Sequence, residues 1–201
     1  MSKMSKKKVI GITGSMGSGK SEISRYLRKK YPVLDCDQVN ADLLKKGSLG
    51  YQKLNDLHIV ELDSNGEIIK ESLASYMFSN EEHRKQVEAI LHPLIFDEMH
   101  KWIHEQESLI VFVEMPILFE ISAQEHFDSI WCVVADLDVA LSRLQTYRNF
   151  TREQALARLV SQMNPEEKMA KSDIVLRNNS TVEQLHRQIE DALKEEKLNG
   201  D

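Results

Sequence analysis

A glycine-rich segment directly follows a short apolar run near the start of the chain. Residues 14–21 read GSMGSGKS and match the pattern G-x-x-x-x-G-K-[ST] at every fixed position, and residues 9–13 before them read VIGIT. This pattern is typical of a phosphate-binding loop between a buried strand and a helix. Glycines allow successive backbone N–H groups to point at phosphate oxygens, and the following helix adds the positive end of its dipole. The sequence therefore predicts a strand, a phosphate-binding loop and a helix, in that order.

The side chains of this segment have separate predicted roles. Lys20 is expected to reach the β- and γ-phosphates of a nucleotide as a point charge, and the Ser21 hydroxyl is expected to complete the coordination of Mg²⁺. The nucleotide-binding positions predicted for the segment are Gly14, Gly17, Ser18, Gly19, Lys20, Ser21 and Glu22. The glycine spacing G-x-x-G-x-G differs from the dinucleotide pattern G-x-G-x-x-G, which argues against a nicotinamide or flavin enzyme.

Length and charge limit the remaining classes. A chain of 201 residues suits one domain, or a core with a small lid. A net charge of -6 argues against general nucleic-acid binding. No stretch approaches the roughly 20 apolar residues of a membrane span, and the N-terminus lacks the apolar core of a secretory signal. We therefore expect a cytoplasmic protein without a membrane or nucleic-acid partner, with Cys36 and Cys132 as reduced core residues.

Short apolar runs alternate with longer amphipathic segments along the chain. The runs lie at residues 9–13, 33–35, 109–114, 129–134 and 173–176. Near-continuous apolar runs are typical of buried parallel strands, so the pattern predicts an α/β fold with a five-stranded parallel sheet flanked by helices. Helix starts are predicted from capping patterns at Thr151 with Gln154, Asn164 with Glu167, and Thr181 with Gln184.

A long helical insertion separates the second and third predicted strands. Residues 38–107 carry apolar side chains at helical spacing, and the sequence DSNG at 63–66 marks a turn. We assign this insertion to substrate binding. The rest of the chain divides into a nucleotide-binding core at 8–37, 108–136 and 171–198 and a lid region at 137–170.

Carboxylates end two of the predicted strands. The second strand ends in Asp35-Cys36-Asp37, and residues i and i+2 of a strand share a face, so both carboxylates are expected at the carboxyl edge of the sheet. Asp37 is interpreted either as the N-cap of the next helix or as the group that accepts the proton of an attacking hydroxyl. The third strand ends in Glu114, where a carboxylate would orient Mg²⁺ or its water.

Arginines are concentrated after the fourth strand, on or between two predicted helices joined by residues 146–150. They are Arg143, Arg148, Arg152 and Arg158. A mobile arginine lid stabilises the negative charge of phosphoryl transfer and excludes water, although most helical arginines lie on solvated faces, so we expect two of the four to function. The N-K-x-D motif of GTPases and the L-S-G-G-Q motif of ABC-type ATPases are absent.

With these motifs in place, the chain resembles the dephospho-CoA kinases, which belong to the P-loop group similar to nucleoside-monophosphate kinases. Besides the loop and Asp35-Cys36-Asp37, the resemblance is carried by His92-Pro93-Leu94-Ile95, Pro116-Ile117-Leu118-Phe119-Glu120, Ala157-Arg158, Gln162, Lys168, Asp173 and Asn178. It implies a P-loop kinase fold with a helical substrate-binding insertion and a small helical lid. It also implies phosphorylation of the ribose 3′-hydroxyl of dephospho-CoA with MgATP, the last step of CoA synthesis.

The resemblance further implies roles for single residues. Asp37 matches the general base, Arg143 matches a lid arginine that contacts the transferring phosphate, and Asn178 and Arg148 are expected at the nucleotide. The family pattern commonly has Arg four residues before the Ser or Thr that starts the next helix, whereas Tyr147 holds that register here and Arg148 is displaced by one. Glu22 replaces the usual Thr, and Glu114 stands where Asp is common.

Two alternatives stay open at this point. One is another small-molecule kinase of the same fold that acts on a nucleoside or nucleotide. The other is a nucleotide-binding regulatory module that keeps the loop but transfers nothing. The predicted oligomeric state is a monomer or a weak homo-oligomer.

Overall fold

The computed structural model describes residues 7–198. Its strands are β1 (Lys8–Gly14), β2 (Val33–Asp35), β3 (Ile110–Glu114), β4 (Ser129–Val134) and β5 (Ile174–Arg177). Its α-helices are α1 (Lys20–Leu27), α2 (Cys36–Leu43), α3 (Leu49–Asp56), α4 (Lys70–Ser79), α5 (Glu81–Glu105), α6 (Leu137–Arg148), α7 (Arg152–Val160), α8 (Pro165–Ala170) and α9 (Val182–Leu198). The chain divides into two compact units, one formed by the residues up to Leu34 and from Gln106 onward, the other by Asp35–Glu105.

The five strands form one sheet in the order β2-β3-β1-β4-β5. Strand β1 pairs in parallel with β3 and with β4, so that Ile12 lies beside Glu114 on one side and Trp131 on the other. The predicted α/β fold and parallel sheet are confirmed, with strand ends within one residue of the expected ones. Strands β2 and β3 lie on one side of β1 and β4 and β5 on the other, so the strand order reverses beside β1, and its carboxyl end lies at the topological switch point where open α/β sheets bind ligands.

The two faces of β1 are buried in different ways. Ile10 and Ile12 are fully buried in a cluster that contains Phe112 and Trp131 and residues of α1 and α9. Gly11 faces the opposite side, where a Cβ atom would lie 2.8 Å from Leu118 Cδ1. The segment after β3 therefore packs directly on the backbone of β1, and this close packing fixes the strand that precedes the glycine-rich loop.

The predicted helix starts are confirmed. Thr151 and Gln154 form a reciprocal capping box at α7, and the Asn164 side chain accepts a hydrogen bond from the N–H of Glu166 at the start of α8. The Thr181 hydroxyl accepts from the N–H of Gln184 at the start of α9, with a distance of 3.3 Å. The predicted connection at 146–150 is too long, however, because α6 continues to Arg148 and ends with Asn149 in the left-handed conformation.

The second unit is helical, as predicted for the insertion, and has its own apolar core. Its buried side chains include Leu54, Leu73, Val87 and Leu91. The predicted turn at 63–66 is also confirmed, because the Asp63 carboxylate accepts hydrogen bonds from the N–H groups of Asn65 and Glu67.

Two further expectations concern membrane-spanning segments and the state of the two cysteines. None of the helices within residues 7–198 is both long and apolar enough to pass through a bilayer. Cys36 and Cys132 are buried, and neither takes part in a disulfide within the described part of the chain. Burial raises the pKa of the Cys132 thiol, against the lowering influence of Ser172 and of the Lys168 and Lys20 ammonium groups.

Candidate nucleotide-binding site

The glycine-rich loop connects the carboxyl end of β1 to the first turn of α1, as predicted. Gly14, Gly17 and Gly19 all have positive φ angles. At Gly14 a Cβ atom would lie 2.2 Å from the carbonyl oxygen of Val133, and at Gly19 it would lie 2.0 Å from Asn178 Nδ2. The fixed glycines are therefore required both by the backbone angles and by the atoms that pack against them.

Lys20 is the first residue of α1 and spans the loop that precedes it. Its Nζ donates to the carbonyl oxygens of Gly14 at 2.7 Å and Ser15 at 3.1 Å. Ser21 follows on the exposed first turn of the same helix. The Ser18 hydroxyl is buried and has no hydrogen-bond partner among the described residues. The positive group of the predicted site therefore lies within the loop.

Arg143 of α6 and Asn178, which follows β5, donate hydrogen bonds to backbone carbonyl groups of the loop. Arg143 Nη1 donates to the carbonyl oxygens of Gly17 at 3.2 Å and Ser18 at 3.4 Å. Asn178 Nδ2 donates to the Ser18 carbonyl at 2.9 Å, and the Asn178 carbonyl accepts from Arg143 Nη2 at 2.9 Å. The structure thus brings two residues predicted at the nucleotide into direct contact with the loop backbone and with each other.

Glu114 lies at the carboxyl end of β3, next to β1, and is almost completely buried. The Ser24 hydroxyl donates to Glu114 Oε2 at 2.5 Å. Ser24 is one helical turn after Ser21, so both serines lie on the same face of α1. A hydroxyl and a carboxylate oxygen are ligands that suit Mg²⁺, so Ser21 and Glu114 fit the predicted metal role.

No group of three or more His, Cys, Asp or Glu residues that could hold a metal ion occurs within residues 7–198. This finding is compatible with Mg²⁺, which usually keeps several waters and binds through one or two protein ligands together with phosphate oxygens.

Two other predicted nucleotide-binding residues have different surroundings. The Glu22 carboxylate contacts Arg25 on the same helix, and its Oε1 lies 3.1 Å from His186 Nε2 of α9. Arg148 is exposed at the last position of α6. Of the other lid arginines, Arg158 has its guanidinium 5.0 Å from the centre of the Phe150 ring. The nucleotide roles of Glu22 and Arg148 stay predictions.

Asp35 and Asp37 belong to the second unit. Asp35 is the N-cap of α2, because its Oδ1 accepts from the N–H groups of Asp37 at 2.9 Å and Gln38 at 3.3 Å. The interpretation of Asp37 as the N-cap is therefore wrong. The expectation that both carboxylates share a strand face is also wrong, because Cys36 already begins the helix. Asp37 lies exposed on the first turn of α2, and its role as the base stays a prediction.

A cavity of about 550 Å³ lies beside the loop within the first unit. Its lining includes Ser15 and Met16 of the loop, Leu137 at the start of α6, Leu159 of α7 and Met169 of α8. This volume lies in the range of small-molecule sites. Sequence reasoning missed this lining because no local pattern shows that the four segments meet.

Comparison with known proteins agrees with this geometry. The family model for dephospho-CoA kinase matches residues 8–184. A dephospho-CoA kinase from Bacillus cereus is 35% identical over 192 residues, which cover 92% of this chain and 96% of that protein.

Two solved structures have the same fold. The crystal structure of a Thermus thermophilus protein has a TM-score of 0.83 and 33% identity, with 94% of this chain and 98% of that chain covered. A dephospho-CoA kinase from Campylobacter jejuni has a TM-score of 0.62 at 22% identity, covers 94% of this chain and 97% of its own, and supports the fold alone. The chain therefore belongs to the dephospho-CoA kinase family, and it is a kinase that phosphorylates dephospho-CoA in an ATP-dependent reaction of CoA biosynthesis.

Proposed function

Taking membership of this family as the premise, we propose that the glycine-rich loop binds MgATP and that the chain transfers the γ-phosphoryl group to the ribose 3′-hydroxyl of dephospho-CoA. The observation that carries the proposal is that Arg143 and Asn178 both donate hydrogen bonds to the Ser18 carbonyl oxygen. The C=O and N–H of one trans peptide point in opposite directions, so the N–H of Gly19 points away from Arg143 and Asn178. That orientation presents the amide to a phosphate oxygen at the positive end of α1.

Four side chains of the first unit are proposed to act on the phosphates, two of them through Mg²⁺. Lys20 exchanges its contacts with the Gly14 and Ser15 carbonyls for the β- and γ-phosphates. Ser21 and Glu114 hold Mg²⁺, which when bound neutralises charge on the phosphate oxygens. Arg143 lies beside the loop through its contacts with Gly17 and Ser18, and its charge favours the negative transition state.

Asp37 is proposed as the base that accepts the proton of the attacking hydroxyl. Asp35 already fills the capping position of α2, so helix capping does not account for Asp37. Asp and Glu carboxylates are among the side chains that act as general bases toward a hydroxyl. We expect Asp37→Asn to fold and to bind ATP but to lose most turnover, and Asp42→Asn, an exposed acid later in the same helix, to keep it.

Glu22, Arg148 and Asn178 complete the proposed nucleotide contacts. We also propose a cytoplasmic enzyme that works as a monomer or weak homo-oligomer on a small soluble substrate. Its net charge of -6 supports the lack of a nucleic-acid partner, because polyanions are repelled by an acidic surface.

The experiment that tests the function offers several acceptors to one enzyme. The protein is incubated with MgATP and with dephospho-CoA, pantothenate, nucleosides or nucleotides, and each acceptor is analysed by mass spectrometry. We expect one added phosphoryl group on dephospho-CoA alone, at the 3′ position. Phosphorylation of a nucleoside or nucleotide instead would favour another kinase of this fold. Tight ATP binding without phosphorylation of any acceptor would favour the regulatory module.

A further inference from the structure

A series of side-chain contacts connects Met16 of the glycine-rich loop to Thr13, the residue that precedes the loop, through the segments packed beside them. It begins at Met16, whose N–H donates to Gln162 Oε1 at 2.9 Å. The N–H of the next residue, Met163, donates to Glu120 Oε1 at 3.4 Å. Gln162 and Met163 lie between α7 and α8, so this part of the series joins the loop to the segment that follows β3.

The second half of the series passes through a buried ammonium group. Lys168 Nζ lies 2.8 Å from Glu120 Oε1 and donates to the Pro116 carbonyl oxygen at 3.0 Å. The same carbonyl accepts from the Thr13 hydroxyl at 3.0 Å. Thr13 immediately precedes Gly14, so the contacts close on the loop. We refer to Thr13, Pro116, Glu120, Gln162 and Lys168 as the loop brace.

The loop brace contains a buried positive charge, which restricts where the partners of that charge can lie. The Lys168 residue is 0% exposed. A buried ammonium group is stable only when it is paired and hydrogen-bonded, because desolvation otherwise outweighs its interactions. Glu120 and Pro116, which accept from the Lys168 ammonium group, both belong to the segment that follows β3, so movement of that segment or of α8 would separate the ammonium group from these acceptors. The buried charge therefore favours the arrangement in which α8 and the segment after β3 stay in contact.

We propose that the loop brace fixes residues 14–16 in the conformation that binds the donor nucleotide, and that Lys168, Glu120 and Gln162 are positioning residues of the kinase reaction. The proposal rests on the proposed binding of ATP at this loop. The brace holds Thr13 and Met16, on either side of the two carbonyl groups that Lys20 contacts. Since the contacts of the brace described above join the loop to the segments beside it within the first unit, its loss should change donor binding and leave acceptor binding unchanged.

Gln162 offers the cleanest test because it is only half-buried and carries no charge. We expect Gln162→Ala to fold normally and to bind ADP about fivefold more weakly by calorimetry, the usual loss for one hydrogen bond. The KM for ATP should rise by a similar factor while the KM for dephospho-CoA stays constant. Gln145→Ala, an exposed glutamine of α6, is the matched control and should leave both constants unchanged.

Lys168 is tested in pairs of variants. Lys168→Met and Glu120→Gln should each weaken ADP binding, and the double variant should bind ADP better than the sum of the single losses predicts, because it removes both charges together. Lys171→Met, an exposed lysine just after α8, is the control and should behave as the wild type.

The outcomes separate the brace from the proposed function. If folded Gln162→Ala binds ADP within twofold of the wild type, or raises both KM values equally, the brace is only structural and the proposal is overturned. Failure of Lys168→Met to fold leaves the decision with Gln162→Ala. If the wild type itself binds no ADP, the proposed nucleotide site fails, and the brace proposal fails with it.

Discussion

The residue at position 19 has to be glycine for two separate reasons. Its φ angle is +98°, and a Cβ atom would lie 2.0 Å from Asn178 Nδ2. Asn178 has little room to move, because its side chain also contacts the Ser18 carbonyl and Arg143. We expect Gly19→Ala to destabilise the fold by about 1–2 kcal/mol through the left-handed backbone, and to weaken ADP binding at least tenfold through displacement of Asn178.

Gly47→Ala is the control that separates the effect of backbone strain from the effect of the contact with Asn178. Gly47 has a φ angle of +84°, but no atom lies within 4 Å of an added Cβ. It should cost a similar free energy of unfolding and leave ADP affinity unchanged. Denaturant unfolding and calorimetry on both variants check the expectation, and equal ADP affinity of Gly19→Ala and wild type would refute the role given to Asn178.

Lys20 carries the positive charge of the proposed phosphate site. Its acceptors include two loop carbonyls, which are weaker partners for an ammonium group than phosphate oxygens. We expect Lys20→Ala to lower kcat/KM for ATP about 100-fold, from the loss of charge-assisted hydrogen bonds, with a much smaller change in the free energy of unfolding. Steady-state kinetics and denaturant unfolding measure the two effects. Full activity of this variant would contradict the site.

Single residues show where sequence reasoning stops. The position of Lys20 and the glycines in a loop between a strand and a helix follows from fixed spacing over eight residues and is confirmed, whereas their roles toward a nucleotide stay predictions. The contacts of Lys168 join residues 13, 116, 120 and 168, which no local pattern relates. Asp37 was expected on a strand face or at the N-cap, because no local pattern shows that the Asp35 side chain takes the capping position and that the helix begins at Cys36.

At the scale of elements, α7 begins with a complete capping box. The Thr151 hydroxyl accepts from the N–H of Gln154 at 3.2 Å, and the Gln154 side chain accepts from the N–H of Thr151 at 2.9 Å. Thr151→Ala should therefore destabilise the protein by about 1 kcal/mol, as is usual for the loss of an N-cap, while Ser142→Ala on the exposed face of α6 should change stability little. Urea unfolding measures both. A change below about 0.3 kcal/mol for Thr151→Ala would show that α7 is held by packing alone.

Elements with strong local signals were predictable. The five strands follow from apolar runs, and three helix starts follow from capping residues. The end of α6 was missed because it depends on one residue, Asn149, that adopts a φ angle of 54°. Continuation of α5 through Pro93 was also not predictable from local preference, because proline in a helix interior loses one backbone hydrogen bond and is tolerated only where tertiary packing compensates.

At the scale of the whole molecule, buried Glu196 and half-buried His92 are two of the titratable groups that link stability to pH. Burial alone would raise the pKa of Glu196, but hydrogen bonds from Lys8, Ser129 and Trp131 outweigh it and leave this pKa below its ordinary value. Burial lowers the pKa of His92, with Glu88 acting in the opposite direction. Glu196 belongs to the first unit and His92 to the second.

The lowered pKa values of His92 and Glu196 both make the folded protein less stable as the pH falls. A group with a depressed pKa in the folded protein binds protons less readily there than in the unfolded chain, so its stabilisation is present above the unfolded pKa and is lost as the pH falls through the folded pKa. The ordinary values are 6.5 for His92 and 4.5 for Glu196. The free energy of unfolding should therefore decrease in two steps on acidification, the first beginning near neutral pH and the second in the acid range.

Urea unfolding from pH 8 to pH 3.5 tests the two steps with one variant each. His92→Gln should flatten the decrease between pH 7.5 and 5.5 and leave the acid step in place. Glu196→Gln should make the acid step smaller and cost about 2 kcal/mol at pH 7, because Lys8, whose Nζ lies 2.6 Å from Glu196 Oε2, loses its anionic partner. If His92→Gln keeps the wild-type slope above pH 5.5, the first step belongs to another group.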